Sequence, residues 1–287
     1  MPATDTTALD VIIPEVWDLA VLDARYAESQ IMSRFLNKSE KVQNFGDIVH
    51  VPIEPVLTGG TVTAGTGAFT PETWTYTEAQ ITVNTWRHAS IDVPDNANAF
   101  SHTDVTKRLP SAAGKLLAEQ VDTDLAALHA DWTTGPIGST TDPVVFQDSL
   151  ILQALFSLSN GKIPKSGLSW ILSPEAFYLG LFTKDRWTSA DQMGLPKSVL
   201  TTNFRFPIFG VPAYETPLLA NVAGVRKCFV AHKEALATAI SIDTKPETAR
   251  RTSALILSTV VVVQNLYGVR TIRANHARVV NIKAEAT

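Results

Sequence analysis

Apolar positions recur at helical spacing in "PEVWDLAVLDARYAESQIMSRFLN", where Trp17, Val21, Ala24, Glu28, Ile31 and Phe35 line up behind Pro14. That period predicts an N-terminal helix or arm. The pattern then changes to alternation in "FGDIVHVPIEP", with Ile48, His50 and Pro52 on one face and Val49, Val51 and Ile53 on the other. Branched residues at that period predict a strand. From Thr58 to Thr85 the chain is dense in Thr and Gly, and Glu72 and Glu78 are its only charged residues. Phe69, Trp74 and Tyr76 stand there with little nearby core to cover them, so a long projecting β-hairpin is expected, its aromatics needing a partner surface.

The strongest helix is predicted over 110–132, where Leu117, Val121, Leu125, Leu128 and Trp132 form one stripe. It would be about 35 Å long, and Gly135, Pro136 and Gly138 stop it. "FQDSLILQALFSLSNG" predicts a second helix, ending at Asn160 and Gly161. In "SWILSPEAFYLGLF" a strand should lead into a helix capped by Ser173, with Pro174 first and Glu175 in its first turn. Short strands are expected in "FPIFGVPAYETP" and "RKCFVAH", around a turn-rich loop at 188–203, and longer ones in "SALILSTVVVVQN" and "YGVRTIRANHARVVNI". The whole reads as α+β, with early and late sheet segments bracketing one long helix and an α/β lobe.

Composition narrows the functional classes. The 287 residues are 45% hydrophobic and carry a net charge of −4, which argues against non-specific phosphate binding by the chain as a whole. Cys228 is the only cysteine, so neither an internal disulfide nor a cysteine-based zinc site can form. No secretory signal opens the chain, and "ALILSTVVVV" is far short of a membrane span.

Candidate chemistry is sparse. No two of the six histidines have the i, i+4 spacing of a helical metal pair. Cys228 and His232 would lie roughly 13 Å apart along a strand, leaving Cys228 as a core residue. Glu119, Asp122 and Asp124 read as a solvated helix face, and Arg250 and Arg251, offset by Glu247, as a surface turn making salt bridges. The glycines of "TGGTVTAGTGAF" have neither a Walker lysine nor a following helix, and "SGLSW" does not complete a nucleophile elbow. No catalytic, cofactor-binding or metal-binding residue is expected.

The order of these pieces resembles the major capsid proteins of tailed double-stranded DNA bacteriophages, whose fold is shared with encapsulin shells and the herpesvirus capsid floor. "GDIVHVPI" before a Thr/Gly-rich hairpin, the long Ala/Leu-rich helix, "SPEAF", "GVPAYET", "HKEALATAIS" and "YGVR" carry the resemblance, over nearly the whole chain. It implies an N-arm (1–44), an extended loop (45–93), a peripheral domain (94–142 and 241–287) with its spine helix at about 110–132, and an axial domain (143–240). The implied function is self-assembly through hexamers and pentamers into an icosahedral shell around packaged DNA, without catalysis.

The same resemblance implies a virion protein made in the host cytoplasm, with itself as main partner and no membrane. A separate scaffolding protein is expected because the arm is short; a portal, a possible decoration protein and weakly contacted DNA complete the partners. No lysine lies between Glu54 and Trp86, so cross-linking through a loop lysine, known in some relatives, is not expected. Two other readings stay open: an encapsulin-like compartment, and a soluble carbohydrate-binding or hydrolase domain using Trp74 and Tyr76 as a platform. In the closing segment Arg270 and Arg273 fall on opposite faces of a strand, and 274–277 should bend it between two sheet segments. With Phe69, Trp74 and Tyr76, these two arginines are the candidate inter-subunit contacts.

Overall fold

Two sheets and one long helix organise the chain, and the closing segment threads both sheets. The computed structural model describes residues 29–42, 47–62, 65, 67–69, 71–95, 105–132, 134–184, 207–252 and 257–284, with side chains left out at 105–109 and 243–245. Most of the expected N-terminal helix and all of the 188–203 loop lie outside the described residues.

In chain order the elements are β1 (Leu36–Asn37), a single turn α1 (Ser39–Val42), β2 (Ile48–Ile53), β3 (Thr77–Thr82), β4 (Thr85–Pro94), α2 (Val105–Ala127) and α3 (Asp148–Asn160). There follow β5 (Leu168–Leu172), β6 (Ala213–Glu215), β7 (Asn221–Val222), β8 (Val225–His232), β9 (Leu236–Thr252), β10 (Leu257–Thr271) and β11 (Ala277–Lys283). One sheet runs β1-β9-β10-β4, a second runs β11-β8-β5-β6 with β7 on β8, and β2 and β3 form a separate two-stranded sheet.

The helix α2 begins five residues before Pro110, which lies inside it. Its stripe is as the period requires: Leu117, Val121, Leu125 and Trp132 are buried. Ala113 and Leu117 pack on Val263 of β10, while Val121, Leu125 and Trp132 join the main core. Trp132 meets Phe229 of β8 edge to face, ring centroids 5.1 Å apart.

The second sheet is the most deeply buried part. All five residues of β5 are buried, as its near-continuous apolar sequence demands of a strand covered on both faces. α3 buries Leu150, Ile151, Ala154 and Leu158. After Ser173 the expected helix is instead mostly a π-helical turn, Ala176–Leu181.

β9 and β10 form a ribbon of 17 and 15 residues, about 50 Å long at the rise of a strand. Here the sequence reading is corrected, because "KPETARR" is strand and not a surface turn. β1 covers β9 only at Ala237 and Thr238, so the rest of β9 runs along the sheet's edge. An edge tolerates Pro246 and favours charge, which is why strand and turn look alike in this stretch. The salt bridges expected there do form: Arg250 pairs with Asp95, and Arg251 with Asp92 at 3.4 Å, reaching across β10 to β4 and its end.

The closing segment bends at Ala274–His276, as its sequence predicts. It does not stay in one sheet, however. Tyr267 to Thr271 pair with β9, whereas β11 leaves that sheet and pairs antiparallel with β8.

Candidate interaction surface

The projecting segment has an anchored root and an unsupported tip. β2 and β3 pair over six positions, Ile48↔Thr82 to Ile53↔Thr77. Val49, Ile81 and Val83 bury themselves there against Ala237, Ala239 and Ile272. Close by, a Cβ built on Gly268 would come within 2.2 Å of the Thr82 carbonyl oxygen, so glycine in "YGVR" is what lets the loop's returning backbone lie on β10.

Beyond Ile53 the ladder ends. Residues described between 54 and 76 have no strand pairing, which corrects the expected long β-hairpin. Gly and Thr without a second layer to pack on cannot offset the entropy of a longer ladder. Glu72 ties the two arms: the hydroxyl and backbone N–H of Thr58 donate to its carboxylate and hold its pKa below the ordinary value. On this segment Phe69 is 87% exposed, and Trp74 and Tyr76, edge to face at 5.9 Å, are 48% and 54% exposed.

Further exposed apolar residues were not anticipated. Leu152 and Phe156 on α3, with Tyr178 and Leu179 on the π-helical turn, are exposed. The signal in the sequence was a helix apolar on more than one face, since "LILQALFSL" has more large apolar residues than one buried stripe uses.

The two candidate arginines differ. Arg270 is exposed on the wall of an open depression that includes Asp131, and among the described residues it forms no ion pair. Arg273 is half-buried, and its Nε lies 3.6 Å from Glu234 Oε2 of the same chain. Arg278 is buried and internal: it donates to the hydroxyls of Ser157 and Thr134 and to the carbonyls of Asn275 and Ala277.

Helix α2 buries Asp122, so the solvated-face reading is corrected there, while Glu119 and Asp124 are half-buried. Asp122 is fully buried and accepts the backbone N–H groups of Gln30 (2.8 Å), Ile31 (3.0 Å) and Met32 (2.9 Å), fastening the N-terminal segment to the helix. Asp124 accepts the Tyr267 hydroxyl at 2.5 Å and pairs with Arg87 at 3.1 Å. Burial, then the bond to Asp124, push the Tyr267 pKa up to about 12. This triad joins α2, β4 and β10 at the base of the projecting segment.

Cys228 is a fully buried core residue whose thiol pKa burial pushes up to about 11, so it is no nucleophile at neutral pH. The histidines are less scattered than their spacing implied. His232, at the end of β8, and His276, in the bend before β11, lie edge to face at 5.7 Å with Glu234 beside them. Among the described residues no helix is long and apolar enough to cross a membrane.

The described geometry has close structural counterparts. The chain matches one from Mycobacterium phage Che8 with a TM-score of 0.80 at 20% identity, covering 93% of this chain and 96% of that one. It matches a chain of the capsid of cyanophage P-SCSP1u with a TM-score of 0.73 at 16% identity, covering 99% and 96%. For the cyanophage Pam1 capsid asymmetric unit the TM-score is 0.74 at 12% identity, covering 99% of both chains. No family model and no curated protein matches the sequence. The α+β architecture expected from the sequence is therefore the fold of phage capsid chains, along nearly its whole length.

Proposed function

We propose that this chain is the major capsid protein of a tailed double-stranded DNA bacteriophage, assembling through hexamers and pentamers into an icosahedral shell. The observation that carries the reading is the end-to-end likeness to chains of phage capsids, at 99% coverage of this chain in two cases. The exposed surfaces agree with it. Phe69, Trp74 and Tyr76 present exposed apolar area, and Arg270, without an ion pair among the described residues, offers a cation to a carboxylate of another copy. Each contact can be modest, because every subunit in a closed shell is held by several neighbours at once.

In this reading 45–93 form the extended loop, rooted by β2 and β3, α2 is the spine of the peripheral domain (94–142 and 241–287), and 143–240, with α3, β5 and β8, form the axial domain, with whose β8 the peripheral β11 pairs. The chain works by binding copies of itself and catalyses no reaction. A scaffolding protein, a portal and packaged DNA are its further partners, a decoration protein an optional one, and the virion its place, after synthesis in the host cytoplasm.

Electron microscopy of the expressed protein, alone and with the products of neighbouring genes, tests this. Uniform shells or ring-shaped capsomers are expected. Monomers under every assembly condition would overturn the proposal, and shells filled with a protein cargo in place of DNA would move it to an encapsulin-like compartment.

A further inference from the structure

We infer that His232, Glu234 and His276 form a transition-metal site of the zinc class, placed where the chain crosses between its two sheets. The position is specific. β8 passes into β9 through 233–235, and β10 passes into β11 through 272–276. In both turns consecutive strands change sheet. The turns are already in contact, since Ala235 O accepts the N–H groups of Ile272 (2.8 Å) and Arg273 (3.3 Å). A metal bridging His232 and Glu234 to His276 would cross-link the two crossings.

The donors are prepared for this role. His232 is 4% exposed, and its Nε2 lies 2.9 Å from the carbonyl oxygen of Ser166. A ring nitrogen facing a carbonyl must carry the proton, which leaves Nδ1 unprotonated, able to accept a hydrogen bond or to ligate. Metal-bound histidines are held in this way, by the second nitrogen donating to a backbone carbonyl. The one hydrogen bond to Nδ1 is long, 3.3 Å from the Glu234 N–H. His276 has a buried Nδ1 with no hydrogen-bond partner among the described residues. That unsatisfied nitrogen has a cost which a ligand would remove.

Each of the three residues offers a ligand atom, and these atoms lie within 4.8 Å of one another. Tetrahedral zinc with bonds of about 2.0–2.1 Å needs ligand atoms about 3.3 Å apart, so side-chain rotations of about an ångström close the site. Two imidazoles and one carboxylate suit zinc better than magnesium or calcium, which prefer all-oxygen shells, and a water completes the fourth position. Arg273 is the built-in competitor, because it pairs with Glu234 at 3.6 Å.

The test is titration of the metal-stripped, full-length protein with Zn²⁺ alone by calorimetry, and with Co²⁺ followed by visible absorption. One equivalent per chain is expected, with a tetrahedral Co²⁺ spectrum and a higher unfolding temperature when Zn²⁺ is present. His276→Ala and Glu234→Gln should each weaken binding tenfold or more, and Arg273→Ala should tighten it by freeing Glu234. His50→Ala, at the separate exposed His50–Glu78 pair, should change nothing. Should His276→Ala fail to fold, Glu234→Gln at a half-buried position is the deciding variant. No stoichiometric binding, or binding that survives these two substitutions but is lost with His50→Ala, would overturn the inference.

Discussion

Two tryptophans divide the molecule into a part that completes itself and a part that does not. Trp170 in β5 is fully buried, edge to face with Phe146 at 5.8 Å, on a strand covered on both sides. Trp74 is 48% exposed, and its aromatic contact is Tyr76, itself 54% exposed. Apolar burial stabilises by about 25 cal/mol per Å² only when something covers the surface. In the β5–β8–β11 sheet the chain supplies that cover; around Trp74 a second surface would have to, which under the proposed function is another copy of the chain. On the proposed function, folding energy and assembly energy would reside in different residues, and substitutions should separate them.

The largest effect on the folded chain is expected at the covered pole. Trp170→Ala should cost about 3–5 kcal/mol, from lost burial plus the cavity left behind, and urea unfolding of the unassembled chain measures it. Loss of assembly would follow from loss of fold. A cost below about 1 kcal/mol would mean that the second sheet is not the stabilising centre. Next comes Asp122→Ala, which leaves the N–H groups of Gln30, Ile31 and Met32 without their acceptor. A cost of about 2–4 kcal/mol follows from unsatisfied buried donors, with earlier proteolysis near residue 30. Unchanged stability and proteolysis would show that Asp122 does not fasten this segment.

How far these residues were legible follows from the range of their contacts. The stripe Leu117, Val121, Leu125 and Trp132 is periodic, so its burial could be read locally, and the apolar run of β5 likewise. Asp122 could not be read that way. It sits among polar neighbours on a helix, and its partners lie about ninety residues earlier in sequence. β9 was obscured for another reason: Pro246, Arg250 and Arg251 serve an edge strand with the residue types that also make turns. The tip of the projecting segment was misread in the opposite direction, because threonine favours strands only where a partner strand exists. His232 and His276 are 44 positions apart, and only the exchange of strands between sheets brings them together.

At the uncovered pole the expectation reverses. Trp74→Ala should change the stability of the unassembled chain by less than about 0.5 kcal/mol, as for an exposed residue, while shell yield by electron microscopy falls sharply. A collapse of the unassembled chain's stability with normal shell yield would show that Trp74 belongs to the chain's own core. The two tryptophans would then no longer mark different poles of the molecule.

The smallest effect on folding is expected at Arg270, and its neighbour Arg273 supplies the control. The two lie close in sequence, yet Arg270 is exposed without an ion pair among the described residues, whereas Arg273 is spoken for by Glu234. Arg270→Glu breaks no ion pair among the described residues, so unfolding should shift by no more than a few tenths of a kcal/mol. If Arg270 meets a carboxylate on another copy, the same reversal places two like charges together, and shell formation should fail at low salt and recover in part as salt screens the repulsion. Arg273→Glu instead sets a carboxylate beside Glu234 and should lower the stability of the unassembled chain before any assembly step. Equal behaviour of the two variants in both measurements would mean that pairing within the chain does not decide which arginine is left for assembly.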